Sequence, residues 1–213
     1  MLFDLSRLDA AERYKLMASS ITPRPIAWVT TLSLTGARNA APYSFFNMMA
    51  ADPPLVVLGL MRKPDGSRKD TCENIVSTRE FVVNLVTESD LDAMNWTCAD
   101  APSGFDELAA ADVETRPSTM VKPPRIATAP VNMECRVVET LDFAPASTIV
   151  VGQVVAMHVD ERFVDPERLH VDAPAMGLMA RMHGAGWYLR STDRIQRDRP
   201  SFDDLRRHVG DCA

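Results

Sequence analysis

Several signatures of common enzyme classes are missing from this chain of 213 residues. No G-x-G-x-x-G follows a strand-like run and no G-x-x-x-x-G-K-[ST] occurs, so the common nucleotide-binding folds lack support. The G-x-G within His183-Gly184-Ala185-Gly186 stands outside that context. Neither Ser44 nor Ser103 lies in G-x-S-x-G, which removes the nucleophile elbow. His158, His170, His183 and His208 lack metal-ligand spacing, so no metal site is expected. Cys72, Cys98, Cys135 and Cys212 form no C-x-x-C pair. Basic charge is not in excess: the net charge of −6 argues against nucleic-acid binding. No apolar run approaches the roughly 20 residues of a membrane span. The N-terminal MLFDLSRLDAAERYKL is charged throughout and has no apolar h-region. A cytoplasmic protein with reduced thiols, and no nucleic-acid or membrane partner, is the expectation.

What is present suits one large domain. Apolar residues make up 46% and charged residues 24%, ordinary for a globular protein. Three segments are expected: a helical lead-in over 1–20, a main domain over 21–190 and a polar tail over 191–213. In the tail, Arg194, Arg197, Arg199, Arg206 and Arg207 interleave with Asp193, Asp198, Asp203 and Asp204, a solvated pattern. Asp9–Ala18 reads as a short helix with Asp9 and Glu12 at capping-box spacing. Pro23 and Pro25 then enforce extended backbone. Ile26–Leu34 and Ala40–Phe46, joined through Thr35-Gly36, read as a β-hairpin. Pro54–Met61 and Glu80–Val86 are buried-strand runs. Asp70–Arg79 is predicted helical, with Asp70 as cap and Glu73 completing the box, and Leu91–Cys98 is a further helix. Ala101–Pro130 is a long excursion with a short strand signal near Val113. Val131–Phe143 and Thr148–Val159 form a second hairpin, Asp165–Val171 a helical turn and Gly186–Arg190 a last strand. Strands without regular helical alternation indicate a mainly β barrel or sandwich with a few short helices.

Three segments are candidates for chemistry. Thr22–Asn47 is rich in small and hydroxyl residues, among them Thr30, Thr31, Asn39, Ser44 and Asn47. Either it is an ordinary hairpin with a wet face, or a flat heteroaromatic ligand lies against it. In the second case Ala40, Ala41 and Pro42 keep the backbone approachable, while Tyr43, Phe45 and Phe46 supply walls. Arg68-Lys69-Asp70-Thr71 sits at an expected helix N-terminus, where N–H groups, the helix dipole, Lys69 and Thr71 suit an anion. The bland alternative is an acidic cap beside a surface lysine, and the Asp70 carboxylate competes with any anion. His183–Tyr188 (HGAGWY) is either a turn into an edge strand or a flap over a ligand. Met176, Met179 and Met182 read as core.

These segments together resemble the flavin reductase-like family, in particular its flavoredoxin-type branch. The resemblance rests on TPRPIAWVTT (Thr22–Thr31), G-x-x-NAAPYSFFN (Gly36–Asn47), DPPLVVLGL (Asp52–Leu60), KDTCENI (Lys69–Ile75), EFVVNLV (Glu80–Val86) and PPRIATAPVNMEC (Pro123–Cys135). It implies an FMN-binding split β-barrel, a homodimer, and hydride transfer from NADH or NADPH to FMN, with FAD as the other flavin. Reduced flavin would then feed a partner monooxygenase. An FMN electron carrier, or a non-catalytic flavin-binding protein, is the alternative. Carried over by position, Thr30 and Thr31 would follow the ribityl-phosphate. Asn39, Ala41, Pro42, Tyr43, Ser44, Phe45 and Asn47 would line the ring, and Lys69, Asp70 and Thr71 would form the phosphate site. Trp187 and Tyr188, with His183 as a weak catalytic candidate, would cover the ring or face nicotinamide.

Overall fold

The computed structural model describes residues 1–184 and 186–210. Helix α1 (Ala10–Ser20) begins with the expected capping box, in which the Asp9 carboxylate accepts from Glu12 N at 2.8 Å and Glu12 accepts from Asp9 N at 2.9 Å. Strands β1 (Arg24–Pro25), β2 (Ala27–Leu32) and β3 (Arg38–Tyr43) follow. β2 and β3 pair as the expected hairpin, from Ala27 opposite Tyr43 to Leu32 opposite Arg38. The hairpin ends earlier than the sequence indicated: Phe46 opens a separate strand, β4 (Phe46–Ala51), which pairs with β5 (Pro54–Met61). Helix α2 (Asp70–Thr78) leads into β6 (Glu80–Leu85) through Arg79, which takes a left-handed φ of 63°.

The excursion carries helices α3 (Leu91–Trp96) and α4 (Glu107–Ala110) and the small ribbon β7 (Thr115–Arg116) with β8 (Arg125–Ile126). The long hairpin β9 (Val131–Phe143) and β10 (Ser147–Val159) stands as expected. Asp165–Val171 is not a helical turn; β11 (Val164–Asp165) and β12 (His170–Val171) pair across it. β13 (Met179–Arg181) and β14 (Tyr188–Arg190) join β1 in a second sheet, so the methionines at helical spacing lie outside any helix, although Met176 and Met179 are buried. The polar tail holds an unexpected helix, α5 (Phe202–Gly210). Its cause was readable in S-x-x-D: Asp204 N donates to Ser201 Oγ at 3.1 Å, and Ser201 N returns a bond to the Asp204 carboxylate at 2.9 Å.

The main sheet has seven strands in the order β3-β2-β6-β9-β10-β5-β4. Its outermost strands, β3 and β4, are consecutive in the chain and separated only by Ser44 and Phe45. A connection that short forces the two edges together, so the sheet curls into a barrel. Gly59 N donates to Phe45 O at 2.7 Å, which carries the β4–β5 pairing one residue into the connection. A Cβ on Gly59 would stand 3.0 Å from Phe45 Cβ, so glycine there permits the approach.

β2 is buried on both faces. Ala27 and Val29 join Leu58, Leu60, Phe81, Val83 and Val150 inside the barrel, and α2 contributes Cys72 and Ile75. Ile26 and Trp28 join Met94, Leu108, Ile126 and Met179 in a second core under the excursion. Trp28 Nε1 donates to Thr97 Oγ1 at 3.0 Å, which ties the end of α3 to the sheet. Asn84 Oδ1 accepts from Ile126 N at 2.9 Å and Asn132 Nδ2 at 2.8 Å, anchoring β8.

Glu134, on β9 and wholly inaccessible, holds the excursion by a third route. Its carboxylate accepts from the backbone N–H groups of Thr119 at 2.8 Å, Met120 at 2.5 Å and Val121 at 3.1 Å, and lies 2.6 Å from His158 Nε2. Burial alone would push this carboxyl up; the donors and His158 outweigh it and hold it below its ordinary value. A lowered folded-state value stabilises the fold above the unfolded value of 4.5 and loses that contribution as pH falls through the folded value. Glu134→Gln should therefore destabilise the protein at pH 7 and flatten the loss of stability below about pH 4.5. Urea melts of both proteins from pH 7 to pH 3 check this, and parallel pH profiles would exclude the role.

Gly152 makes a different demand. A Cβ there would meet Phe81 Cζ at 2.5 Å, beside the register shift between Val151 and Gly152. Gly152→Ala should cost about 1–3 kcal/mol by overpacking, read as a lowered denaturation midpoint with an unchanged slope.

Candidate functional site

The N-terminal end of α2 meets the outer edge of β3 over a network of hydroxyl and amide groups. Asn39 Nδ2 donates to Thr71 Oγ1 at 2.8 Å and lies 3.3 Å from Thr31 Oγ1, which also accepts from Asn74 Nδ2 at 3.0 Å. The Tyr43 hydroxyl lies against the Thr71 side chain, and burial pushes its pKa well above the ordinary phenol value. All of Thr31, Asn39, Thr71 and Asn74 are buried. Partners drawn from β2, β3 and α2 therefore fix one another's rotamers and form a rigid floor.

A recess of about 150 Å³ opens above this floor. Asn39, Ala41, Pro42 and Tyr43 line it from β3, and Lys69, Asp70 and Thr71 line it from the start of α2. Lys63, Glu107 and the segment Thr97–Ala101 complete the walls; sequence reasoning missed these. No motif covered Lys63, and Glu107 lay in an excursion without a motif. β3 pairs only with β2 in the main sheet, which leaves its outer edge free of strand partners. Ala40 N on that edge donates to the Glu107 carboxylate at 3.1 Å, and burial pushes the Glu107 carboxyl up. Pro42, two residues on, has no N–H, so the edge presents mainly carbonyl acceptors.

The charges differ from expectation in one respect. Lys69, not Asp70, occupies the N-cap position of α2, with no side-chain cap bond. Asp70 lies one residue inside, and its carboxylate accepts from Gly104 N at 2.9 Å; the expected box with Glu73 does not form. A polar contact across to the excursion replaces the cap. Asp70 thus ties down the wall opposite β3 and leaves the first turn of α2 without a capping side chain. Lys69 Nζ lies 2.9 Å from Asp100, an exposed pair of the kind worth little in water.

Seven of the expected residues therefore share one recess. Ser44 and Phe45 lie in an adjoining hollow that includes Pro42, Tyr43 and Lys69. Thr30 and Thr31 have no exposed surface. Thr30 Oγ1 donates to Pro124 O at 2.5 Å, so these side chains stand behind the wall and not on it. Asn47 is on exposed β4, where its Oδ1 accepts from Met48 N, away from the recess lining. The registration that ended the hairpin at Tyr43 is the reason. The His183 and Trp187 rings are tilted at 30° with centroids 6.1 Å apart, Trp187 is exposed, and Tyr188 lies under the Arg181 guanidinium at 4.8 Å. None of these three lines the recess, although Cys98 of the lining is close enough to perturb Tyr188. Ala185 of the same motif falls outside the described residues. Among the described residues no His, Cys, Asp or Glu group could hold a metal, and no helix is long and apolar enough to cross a membrane.

The model of the flavin reductase like domain matches residues 17–176. The chain belongs to this family. An uncharacterized protein of Deinococcus radiodurans is 38% identical over 94% of this chain and 90% of its own length. The structure is similar to that of Pseudomonas fluorescens 2-nitrobenzoate 2-nitroreductase, with a TM-score of 0.86, 37% identity and coverage of 95% of this chain and 98% of that one. Nitrilotriacetate monooxygenase component B from Bacillus cereus gives a TM-score of 0.86 at 31% identity, over 92% of this chain and 98% of that one. A split-barrel protein of Shewanella frigidimarina, 21% identical with a TM-score of 0.79 over 94% of this chain and all of that one, supports the fold alone. The chain is thus a flavin reductase-like split barrel and a flavin-related oxidoreductase by family.

Thr71→Val would remove the hydroxyl on which the Asn39 amide and Tyr43 converge. It should cost about 1–3 kcal/mol, the usual cost of stranding a buried polar group, whereas Thr71→Ser should recover most of it. Denaturant titration of both variants checks this.

Proposed function

We propose that the protein is an NAD(P)H-dependent FMN reductase. In this reading it acts as a homodimer and hands reduced flavin to a partner monooxygenase. The observation that carries the reading is the convergence, in one recess, of an acceptor edge, an apolar wall and a cationic helix start. The groups suit the cofactor. An isoalloxazine carries one ring N–H, which the carbonyl groups on the free edge of β3 can accept. Pro42 and Tyr43 offer a flat apolar wall. Lys69, the Thr71 hydroxyl and the uncapped first turn of α2 offer a phosphate its charge and donors.

Bound flavin would accept hydride from the nicotinamide and pass it on. The chain's own residues bind and orient. The buried Thr31–Asn39–Thr71–Asn74 network holds the recess in one shape before any ligand arrives. Lys69 would leave the exposed Asp100 for a phosphate, at small cost because that pair is solvated. No proton-transferring side chain is required of the protein.

The recess of a single chain is shallow against the roughly 300–1,000 Å³ of a small-molecule site. Beside it lies an apolar groove lined by Tyr14, Met17, Ile21, Phe45, Met61 and Ile149, and β4 exposes Met48 and Met49. A second copy seated there would cover the β4 edge and deepen the neighbouring hollow around Phe45.

FMN-reconstituted, desalted protein should retain flavin bands that bleach within seconds when NADH or NADPH is added anaerobically. Bands that survive both nicotinamides would replace the reductase reading with that of an FMN electron carrier. Lys69→Ala should weaken FMN binding by about 1.5–3 kcal/mol, and an unchanged dissociation constant would remove Lys69 from the site.

A further inference from the structure

A second recess, of about 400 Å³, shares Asn39, Lys63 and Asp70 with the first. Its other walls are polar: Ser33 and Thr35 from the β2–β3 turn, Ser67 and Arg68 before α2, Arg38 from β3, and Ser103 from the excursion. No aromatic or large aliphatic side chain lines it. Lys63 stands at the junction of the two recesses and makes no ion pair among the described residues. Arg68 reaches Glu73 at 3.5 Å and Asp142 at 3.2 Å through its terminal nitrogens, while its buried Nε has no hydrogen-bond partner. Both carboxylates on the lining are engaged, Asp70 by Gly104 N and Glu73 by Arg68. What remains is an unpaired ammonium and a guanidinium whose Nε has no partner, beside hydroxyls that already bond within the chain, Ser33 with Thr35 and Ser67 with Asp65. These suit phosphate oxygens and ribose, and they do not suit a stacked base.

We propose that this second recess takes the phosphate–ribose portion of the ADP arm of a dinucleotide whose redox ring lies in the first recess. The inference rests on the flavin reading above and extends it, because FMN has only the first phosphate of that arm and lacks the AMP portion. Lys63 then serves both recesses and contacts the phosphate nearest their junction. Two dinucleotides carry the arm, FAD and the nicotinamide donor, and the chemistry of the recess is common to both.

The test is a set of titrations on the intact chain and on Thr35→Glu, which adds an exposed negative charge to the second recess without touching the first. ADP should bind the unmodified protein and compete with FAD or NADH, and with FMN as well, because one phosphate of ADP stands where the FMN phosphate does. Thr35→Glu should weaken ADP about tenfold, as expected for a like charge placed near a phosphate, and leave FMN binding within about twofold. If Thr35→Glu also weakens FAD but not NADH, the arm belongs to the flavin; the reverse assigns it to the nicotinamide. Lys63→Ala should weaken both ADP and FMN. Failure of ADP to bind the unmodified protein would overturn the proposal. So would equal losses of FMN and ADP in Thr35→Glu, which would make the recess the flavin's own monophosphate site. Failure of FMN alone, with ADP still bound and sensitive to Thr35→Glu, would instead count against the flavin reading.

Discussion

The structure depends on a connection too short to let its sheet stay open. Ser44 and Phe45 alone separate strands that stand at opposite ends of the seven-stranded order. Closure follows from chain length before any side chain is considered, and the surrounding residues make it tolerable. Gly59 lets Phe45 approach, and its N–H takes the Phe45 carbonyl. Arg24, almost wholly buried, donates to Ala18 O at 2.5 Å and Ile21 O at 2.8 Å, and reaches Ser44 Oγ at 3.3 Å. Its guanidinium also lies 5.9 Å from the Phe45 ring centre. One cation therefore satisfies the frayed carbonyls after α1 and steadies the bend that closes the barrel.

Closure also explains why the recess is where it is. β3 has spent one edge on β2, and the barrel is sealed by Phe45 and β4, beyond the end of β3. The outer edge of β3 between Asn39 and Tyr43 is left facing α2 and the excursion. Exposed strand edges ordinarily invite pairing with another chain. Here the Glu107 carboxylate occupies Ala40 N and Pro42 removes the next donor, so the edge is protected yet remains an acceptor surface. The same two features that prevent strand addition make the edge suitable for a flat ligand with an N–H.

The legible parts of the sequence were those governed by local rules. Alternation and β-branching marked β2, β5, β6, β9 and β10, and the Asp9–Glu12 spacing marked the start of α1. Ordered motif pieces marked the family and put Asn39, Ala41, Pro42, Tyr43, Lys69, Asp70 and Thr71 in one place. Long-range contacts were the illegible parts. Phe45 and Phe46 continue the apolar run from β3, so nothing local announced a change of strand. Asp70 has a good cap's identity, but Gly104, far along the chain, provides a partner that only the folded excursion supplies. Thr30 and Thr31 carry ligand-like hydroxyls, yet burial of β2 on both faces turns them inward. The Asp165–Val171 ribbon is too short for any periodicity to reveal it.

Charge placement reconciles an acidic protein with the anionic ligand proposed for it. A net charge of −6 repels phosphates at long range, but that field is screened within about 8–10 Å at physiological salt. Inside that distance the balance is set by a few groups: Lys63, Lys69 and the start of α2 against Asp70, Asp100 and Glu107. Each acid already has an occupation, with Gly104 N, Lys69 and Ala40 N respectively. Burial also pushes the Glu107 carboxyl above its ordinary value. Lys63 has no such engagement, and Lys69 is held only by a solvated pair. The recess therefore offers net positive charge although its residue count is nearly neutral, and its fitness for the proposed phosphate resides in which charges are already satisfied.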